Sequence, residues 1–181
     1  AVSPWPRRTA EAIKEFAEEN VVFGAQNYKK WEQRENSLRE QLRTLINATS
    51  VNEISLLKNT SEALSVVASG IDWKRNDNVV STNEEFPSNR FPWQAQKKHG
   101  VELKQIAVQI KDPEQALINA CDDQTRVMSV SSVQYGSGLK LKLEILGEFC
   151  RTNQILFCVD AIQSVGAHKI DVQAINADFA M

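Results

Sequence analysis

Two kinds of hydrophobic spacing divide the chain near residue 50. Between Arg8 and Asn20 the apolar residues Ala10, Ile13, Phe16 and Ala17 fall three, three and one positions apart, which predicts a helix with one apolar stripe. From Gln26 to Ile46, the residues Tyr28, Trp31, Leu38, Leu42, Leu45 and Ile46 are interleaved with Lys, Arg, Glu and Gln. That is the pattern of a longer amphipathic helix lying against a core rather than inside one. Beyond Asn47 the pattern becomes short apolar runs separated by amphipathic stretches. Strands are predicted over 53–57, 78–81, 103–108, 126–130 and 155–159, and helices over 61–69, 93–99, 113–120 and 143–151. Strand and helix alternating with such short connections predict βαβ units and an α/β fold. The expected architecture is a three-layer αβα domain around a mostly parallel sheet covered on both faces. The chain then reads as an N-terminal helical segment over 1–50 and an α/β unit over 51–181, with no repeat or low-complexity tract.

Composition narrows the function classes. Apolar residues make up 42% and charged residues 24% of 181 positions, an ordinary globular balance. The 21 Lys plus Arg against 23 Asp plus Glu leave a formal charge of −2, which gives no long-range pull on a polyanion and argues against a nucleic-acid binder. The longest pure apolar run, Ile155 to Val159, is far short of the roughly 20 residues of a membrane span, so no membrane partner is expected. Cys121, Cys150 and Cys158 are odd in number and widely spaced, which suits a reducing, cytoplasmic setting and neither a disulfide framework nor a metal site. The chain opens without Met and stops at Asp178-Phe179-Ala180-Met181, inside what reads as the start of an apolar strand, so it is expected to be a piece of a longer protein.

In a parallel sheet, ligands bind beyond the carboxyl ends of the strands, so the loops there carry the chemistry. Lys58-Asn59-Thr60-Ser61-Glu62 follows the first predicted strand. Its hydroxyls and first-turn N–H groups would favour a phosphate, and the competing reading is plain capping, with Asn59 as N-cap and Glu62 closing a capping box. The loop Asn83 to Trp93 holds two phenylalanines, two prolines and a tryptophan, a composition that packs on something planar or on its own domain. Ser131 to Gly138 is a polar, glycine-bearing loop at the same edge. Asp160, directly after five apolar residues, would lie poorly solvated at the mouth of the sheet, where its charge is costly unless a cation or several donors meet it; the alternative is a cap. His99 and His168 read as loop histidines, the cysteines as core, and Lys29-Lys30 and Lys97-Lys98 as solvated faces.

The order of these loops, Asn59-Thr60-Ser61-Glu62-Ala63-Leu64, then Glu85-Phe86-Pro87-Ser88-Asn89-Arg90-Phe91-Pro92-Trp93, then Val159-Asp160-Ala161-Ile162-Gln163-Ser164-Val165-Gly166, resembles the class V aminotransferase-like enzymes. These are pyridoxal-phosphate enzymes of fold type I, including cysteine desulfurases, selenocysteine lyases and isopenicillin N epimerase-like proteins. The resemblance covers nearly the whole chain and implies a partial large domain, cut before its C-terminus. It implies pyridoxal 5′-phosphate as cofactor, an amino-acid substrate handled through an aldimine and an α-carbanion, and a homodimer in the full-length protein. Carried over residue by residue, Thr60 and Ser61 would bind the cofactor phosphate, Asp160 the protonated ring nitrogen and Gln163 the ring's phenolic oxygen. Phe86 stands where many members have a ring-stacking histidine, so it could stack but not move protons. Gln134 and Tyr135 replace a loop in which desulfurases carry an asparagine, which favours an aminotransferase or epimerase-like branch, with a cysteine desulfurase or selenocysteine lyase as the alternative. The lysine that forms the Schiff base is expected beyond Met181. Lys140, Lys142 and Lys169 do not match its position, and this piece alone is expected to be inactive. Readings from other classes are a Rossmann-like nucleotide binder, which would need a glycine-rich turn after the first strand, and a non-catalytic module that keeps the fold.

Overall fold

A computed structural model describes residues 4–181. The five strands are β1 (Asn78–Thr82), β2 (Glu102–Ile106), β3 (Thr125–Ser131), β4 (Leu156–Asp160) and β5 (Phe179–Ala180). They form one sheet in the order β2-β1-β3-β4-β5, and every pair is parallel. The helices are α1 (Arg7–Phe23), α2 (Tyr28–Ile46), α3 (Thr60–Gly70), α4 (Phe91–Gln94), α5 (Pro113–Ala120) and α6 (Leu143–Thr152). The expected α/β architecture is therefore present.

Both faces of the sheet are covered, and the strand sequences show why. In β1, β3 and β4 nearly every residue is apolar or small, so side chains alternate into two separate cores. Val80, Met128, Val130, Phe157 and Val159 pack against Leu117 of α5 and Leu146 and Cys150 of α6. Val79, Val127 and Cys158 point the other way, onto Leu64 and Ala68 of α3 and Trp93 of α4. Gly147 lets α6 approach the 171–177 turns closely, since a Cβ there would lie 1.7 Å from the Ile175 carbonyl oxygen.

The strand expected over 53–57 does not form. Val51–Glu53 is a single 3₁₀ turn capped by Ser50, whose side chain accepts from Asn52 N–H at 3.2 Å, and the chain then runs as an irregular linker to Asn59. Ile54 is buried while Leu56 and Leu57 are exposed, and among the described residues no strand pairs with this segment. A short apolar run has the composition of a strand without the partner that makes one. The fifth strand is instead Phe179–Ala180, hydrogen-bonded beside β4.

The helices α1 and α2 contain no buried residue. Phe16 and Tyr28 meet the Trp31 ring edge-on, with centroids 5.1 and 6.1 Å away. The end of α2 is tied to the turn after residue 170: Val172 N–H donates to Ile46 O at 3.0 Å, and Asn47 Nδ2 to Asp171 Oδ1 at 3.0 Å.

Candidate functional site

The strand order reverses direction between β1 and β3, since the chain leaves β1 outward to β2 and then returns across it to β3. In an open parallel sheet that switch opens a crevice at the carboxyl ends of the two strands. The residues there are Thr82, the loop 83–90, and Ser131 with the hairpin that follows, whose Val133 and Lys140 form an antiparallel bridge.

In the loop directly beyond the end of β1 lies Glu85, buried and surrounded by neutral donors. Its Oε1 accepts from Thr82 Oγ1 at 2.9 Å, Ser131 N–H at 2.8 Å and Gln134 Nε2 at 3.0 Å. Its Oε2 accepts from Ser131 Oγ at 2.6 Å and Asn89 Nδ2 at 2.8 Å. Asn89 in turn accepts from Trp93 Nε1 at 3.0 Å and Ser129 Oγ at 2.6 Å, which continues the network into the core. Glu85 and Asn89 did not stand out in the sequence because a Glu and an Asn in a polar loop look solvated. The signal available was their place in the loop that follows the apolar run of β1.

Asp160 is the register partner of Ser131 across β3 and β4, and is 1% exposed. Its side chain receives one protein hydrogen bond, from Ile162 N–H at 3.0 Å, and among the described residues no cation pairs with it. Burial pushes its pKa up from 3.8 to about 6; the Ile162 N–H works against that, and the negative charge of Glu85 adds to it. The cap reading accounts for one oxygen only. The backbone around Asp160 is firmly placed, because Ser132 N–H donates to its carbonyl at 2.9 Å and the Ser132 and Ser164 hydroxyls lie 2.6 Å apart.

Thr60 and Ser61 are the first two residues of α3, where helix geometry leaves N–H groups without intrahelical acceptors. The capping reading is also realised here: Asn59 Oδ1 accepts from Glu62 N–H at 2.9 Å, and Glu62 reaches back to Lys58 N–H at 2.6 Å. With the expected first strand absent, this helix start follows a linker. It reaches the crevice through Ser61 Oγ, which donates to Ser88 Oγ at 3.2 Å in the turn after Phe86. Phe86 is 47% exposed and meets Tyr135 edge-on at 5.0 Å with the planes at 86°. Gln163 is half-buried in the turn after β4. Hydrogen bonds thus run from Ser61 to the 87–89 turn beside Phe86 and from Glu85 to Ser131, which is in register with Asp160. Gln163 joins this rim by its place in the chain and by no side-chain bond.

The other candidates fall as expected. His99 and His168 are exposed, as are Lys29, Lys30, Lys97 and Lys98. Trp93 packs in its own domain at 1% exposure, whereas Phe91 stays on the surface with the Arg90 guanidinium 4.8 Å above its ring. Lys140, Lys142 and Lys169 are exposed. Among the described residues no acidic, histidine or cysteine cluster could hold a metal, and no helix is long and apolar enough to cross a membrane.

Comparison with known proteins defines the class. The family described as aminotransferase class-V matches residues 1–181, and the chain belongs to that family. It is 33% identical to a probable cysteine desulfurase of Methanothermobacter thermautotrophicus over 99% of this chain and 46% of that protein. It is 29% identical to an uncharacterized aminotransferase of Schizosaccharomyces pombe over 81% of this chain and 37% of that one. Among solved structures it resembles the apo cysteine desulfurase of Thermococcus onnurineus NA1, with 30% identity, TM-score 0.71, and coverage of 80% of this chain and 37% of that one. It also shares the fold of a C-DES mutant with glycine covalently linked to the PLP cofactor, at 24% identity, TM-score 0.83, and coverage of 94% and 46%. The chain spans about half the length, or less, of the curated relatives it matches. The fold is that of the large domain of fold type I enzymes, of which this chain forms a part.

Proposed function

We propose that the chain is part of a pyridoxal-phosphate-dependent enzyme acting on an amino acid, of the aminotransferase class V type, with transamination or epimerisation as its reaction. The observation that carries this reading is Asp160: a buried carboxylate at the carboxyl end of β4, with one hydrogen bond and no cation partner among the described residues. Such a group is costly unless a ligand brings a positive donor, and a protonated pyridine nitrogen is one. Thr60 and Ser61 hold the phosphate at the α3 N-terminus, where unpaired N–H groups and the helix dipole favour an anion. Phe86 would stack on the cofactor ring and, lacking a titratable group, would move no proton there. Gln163 would donate to the phenolic oxygen. When bound, pyridoxal phosphate supplies an electron sink for charge developing at the substrate's α-carbon. Asp160 maintains that sink by keeping the ring nitrogen protonated.

A second reading, cysteine desulfurase, is favoured by the names of the relatives. In either case the partial cofactor-binding unit is residues 51–181, preceded by the helical segment 1–50, and the Schiff-base lysine follows Met181 in the full-length protein. We place the protein in the cytoplasm, in keeping with its three free cysteines, and propose a homodimer, with the exposed Phe16, Phe23 and Tyr28 of the helical segment as part of the contact. Sedimentation of the full-length protein tests that assembly.

The cofactor reading is tested with 4-deoxypyridoxine 5′-phosphate, which lacks the aldehyde and cannot react with surface lysines. Calorimetric titration of the chain is expected to show one site, weakened at least tenfold by Asp160→Ala and by Thr60→Ala with Ser61→Ala. Equal affinity in wild type and both variants would sink the assignment.

A further inference from the structure

Glu85 and Gln134 are each followed directly by a rim aromatic, Phe86 and Tyr135. The Glu85 to Gln134 hydrogen bond of 3.0 Å therefore runs beside the edge-on contact of those two rings at 5.0 Å, so two loops are bridged twice in succession. The carboxylate also takes donors from the end of β1, the 87–89 turn and the end of β3. All five of its donors are hydroxyl, amide or backbone N–H groups. The Gln134 amide is oriented by this bond, with its Oε1 buried and without a partner. A buried acceptor is normally satisfied. A carboxylate accepts only, so it is the amide nitrogen that faces Glu85, and this bond ties the hairpin to the loop after β1.

We propose that Glu85 is the positioning residue of this rim: by binding the β1 end, the 87–89 turn, the β3 end and the 133–140 hairpin at once, it fixes Phe86 against Tyr135 and sets the aromatic wall that receives the cofactor ring. This goes beyond the assignment of Phe86 as a stacking residue and rests, for the identity of the ring, on the reading in the preceding subsection. Glu85 is buried with both oxygens taken up by protein donors. Its effect on ring binding passes through the two loops it holds.

The experiment uses the full chain in three forms: wild type, Glu85→Gln and Gln134→Met. Three quantities are measured: the nuclear Overhauser contact between the Phe86 and Tyr135 rings, the affinity for 4-deoxypyridoxine 5′-phosphate, and the affinity for inorganic phosphate. In both variants the ring contact is expected to vanish and the analogue to bind about tenfold more weakly, while phosphate affinity stays within twofold because Thr60 and Ser61 are untouched. If Glu85→Gln does not fold, Gln134→Met decides. That substitution removes one donor of the set and, with it, the unpaired oxygen, so the fold is expected to persist. A ring contact and analogue affinity within twofold of wild type in Gln134→Met overturn the proposal. So does an equal loss of analogue and phosphate binding, which would mark general loosening. If no form binds the analogue, the cofactor reading fails on its own, and the ring contact alone decides whether Glu85 positions the wall.

Discussion

Ser131 bonds both oxygens of Glu85, its backbone N–H to Oε1 at 2.8 Å and its hydroxyl to Oε2 at 2.6 Å, while lying in register with Asp160 on the next strand. Two buried carboxylates with opposite surroundings thus flank one residue. Glu85 is saturated with donors, and Asp160 has one. A cationic ligand gains most at the second, because only there is accepting capacity unused.

This asymmetry fixes the sign of a pH effect. An aspartate whose folded pKa rises from 3.8 to about 6 binds its proton more tightly in the folded state than in the unfolded one. Its contribution is neutral below about pH 4, turns against folding as pH climbs to about 6, and then stays constant at roughly 3 kcal/mol. Asp160→Asn is therefore expected to raise the thermal midpoint at pH 8 and leave it unchanged at pH 3.5, while abolishing tight binding of the cofactor analogue. A variant less stable than wild type at pH 8 would contradict the burial argument.

At Gly147 two effects of opposite sign compete. Alanine in a helix interior is better than glycine by up to about 1 kcal/mol. The added methyl, however, would sit 1.7 Å from the Ile175 carbonyl oxygen and 3.2 Å from Phe157 Cδ1. The backbone oxygen cannot rotate away, so α6 or the 171–177 turns must shift, at a cost of about 3 kcal/mol. Gly147→Ala is expected to destabilise by about 2 kcal/mol net in urea unfolding. Gly70, where an added methyl would meet nothing within 4 Å, is the control, and its alanine variant should be neutral or more stable.

The Asn59 cap separates stability from ligand binding at the α3 start. Asn59→Ala removes the acceptor for Glu62 N–H and is expected to cost about 1 kcal/mol. Asn59→Asp keeps the acceptor, so its unfolding midpoint should match wild type, but its added charge beside Thr60 and Ser61 should weaken inorganic phosphate. Loss of phosphate affinity in Asn59→Ala but not in Asn59→Asp would place the anion elsewhere.

Much of this was legible in the sequence. Helix α5 was readable to the residue because Asp112 caps it and Pro113 occupies its first turn, both local signals. Strands β1 and β3 were visible by their β-branched residues, and β4 as part of the unbroken apolar run Ile155 to Val159. The strand expected over 53–57 failed because pairing is a property of two segments, and composition reports on one. Asp160 stood out by its isolation after an apolar run, and its burial follows from that same pattern. Glu85 did not, because what distinguishes it is convergence: Asn89 lies four residues away, while Ser131 and Gln134 lie 46 and 49 residues away. No periodicity records a hydrogen bond across that distance. Phe86 was legible as an aromatic in a polar loop, but its partner Tyr135 became visible only once the two loops were folded side by side.

The cysteines give a test of whether any thiol here could serve as a nucleophile. A reactive cysteine needs a lowered pKa and access. Burial instead pushes the Cys121 thiol up to about 11 and Cys158 up to about 12, and raises Cys150 as well. Cys150 donates to Met128 Sδ at 3.8 Å and Cys158 to Met181 Sδ at 3.8 Å, so both point into apolar surroundings. At pH 8 a thiol titrating near 11 is ionised to about one part in a thousand. Ellman's reagent at pH 8 is therefore expected to leave Cys150 and Cys158 unmodified in the native chain, to react slowly with the half-buried Cys121, and to count three thiols in denaturant. Fast native labelling at Cys121 would mean that its neighbours Lys104 and Thr125 outweigh its burial, and would reopen it as a sulfur-handling residue. The slow result instead assigns all three to packing, and a desulfurase reaction would then need a cysteine from outside this chain.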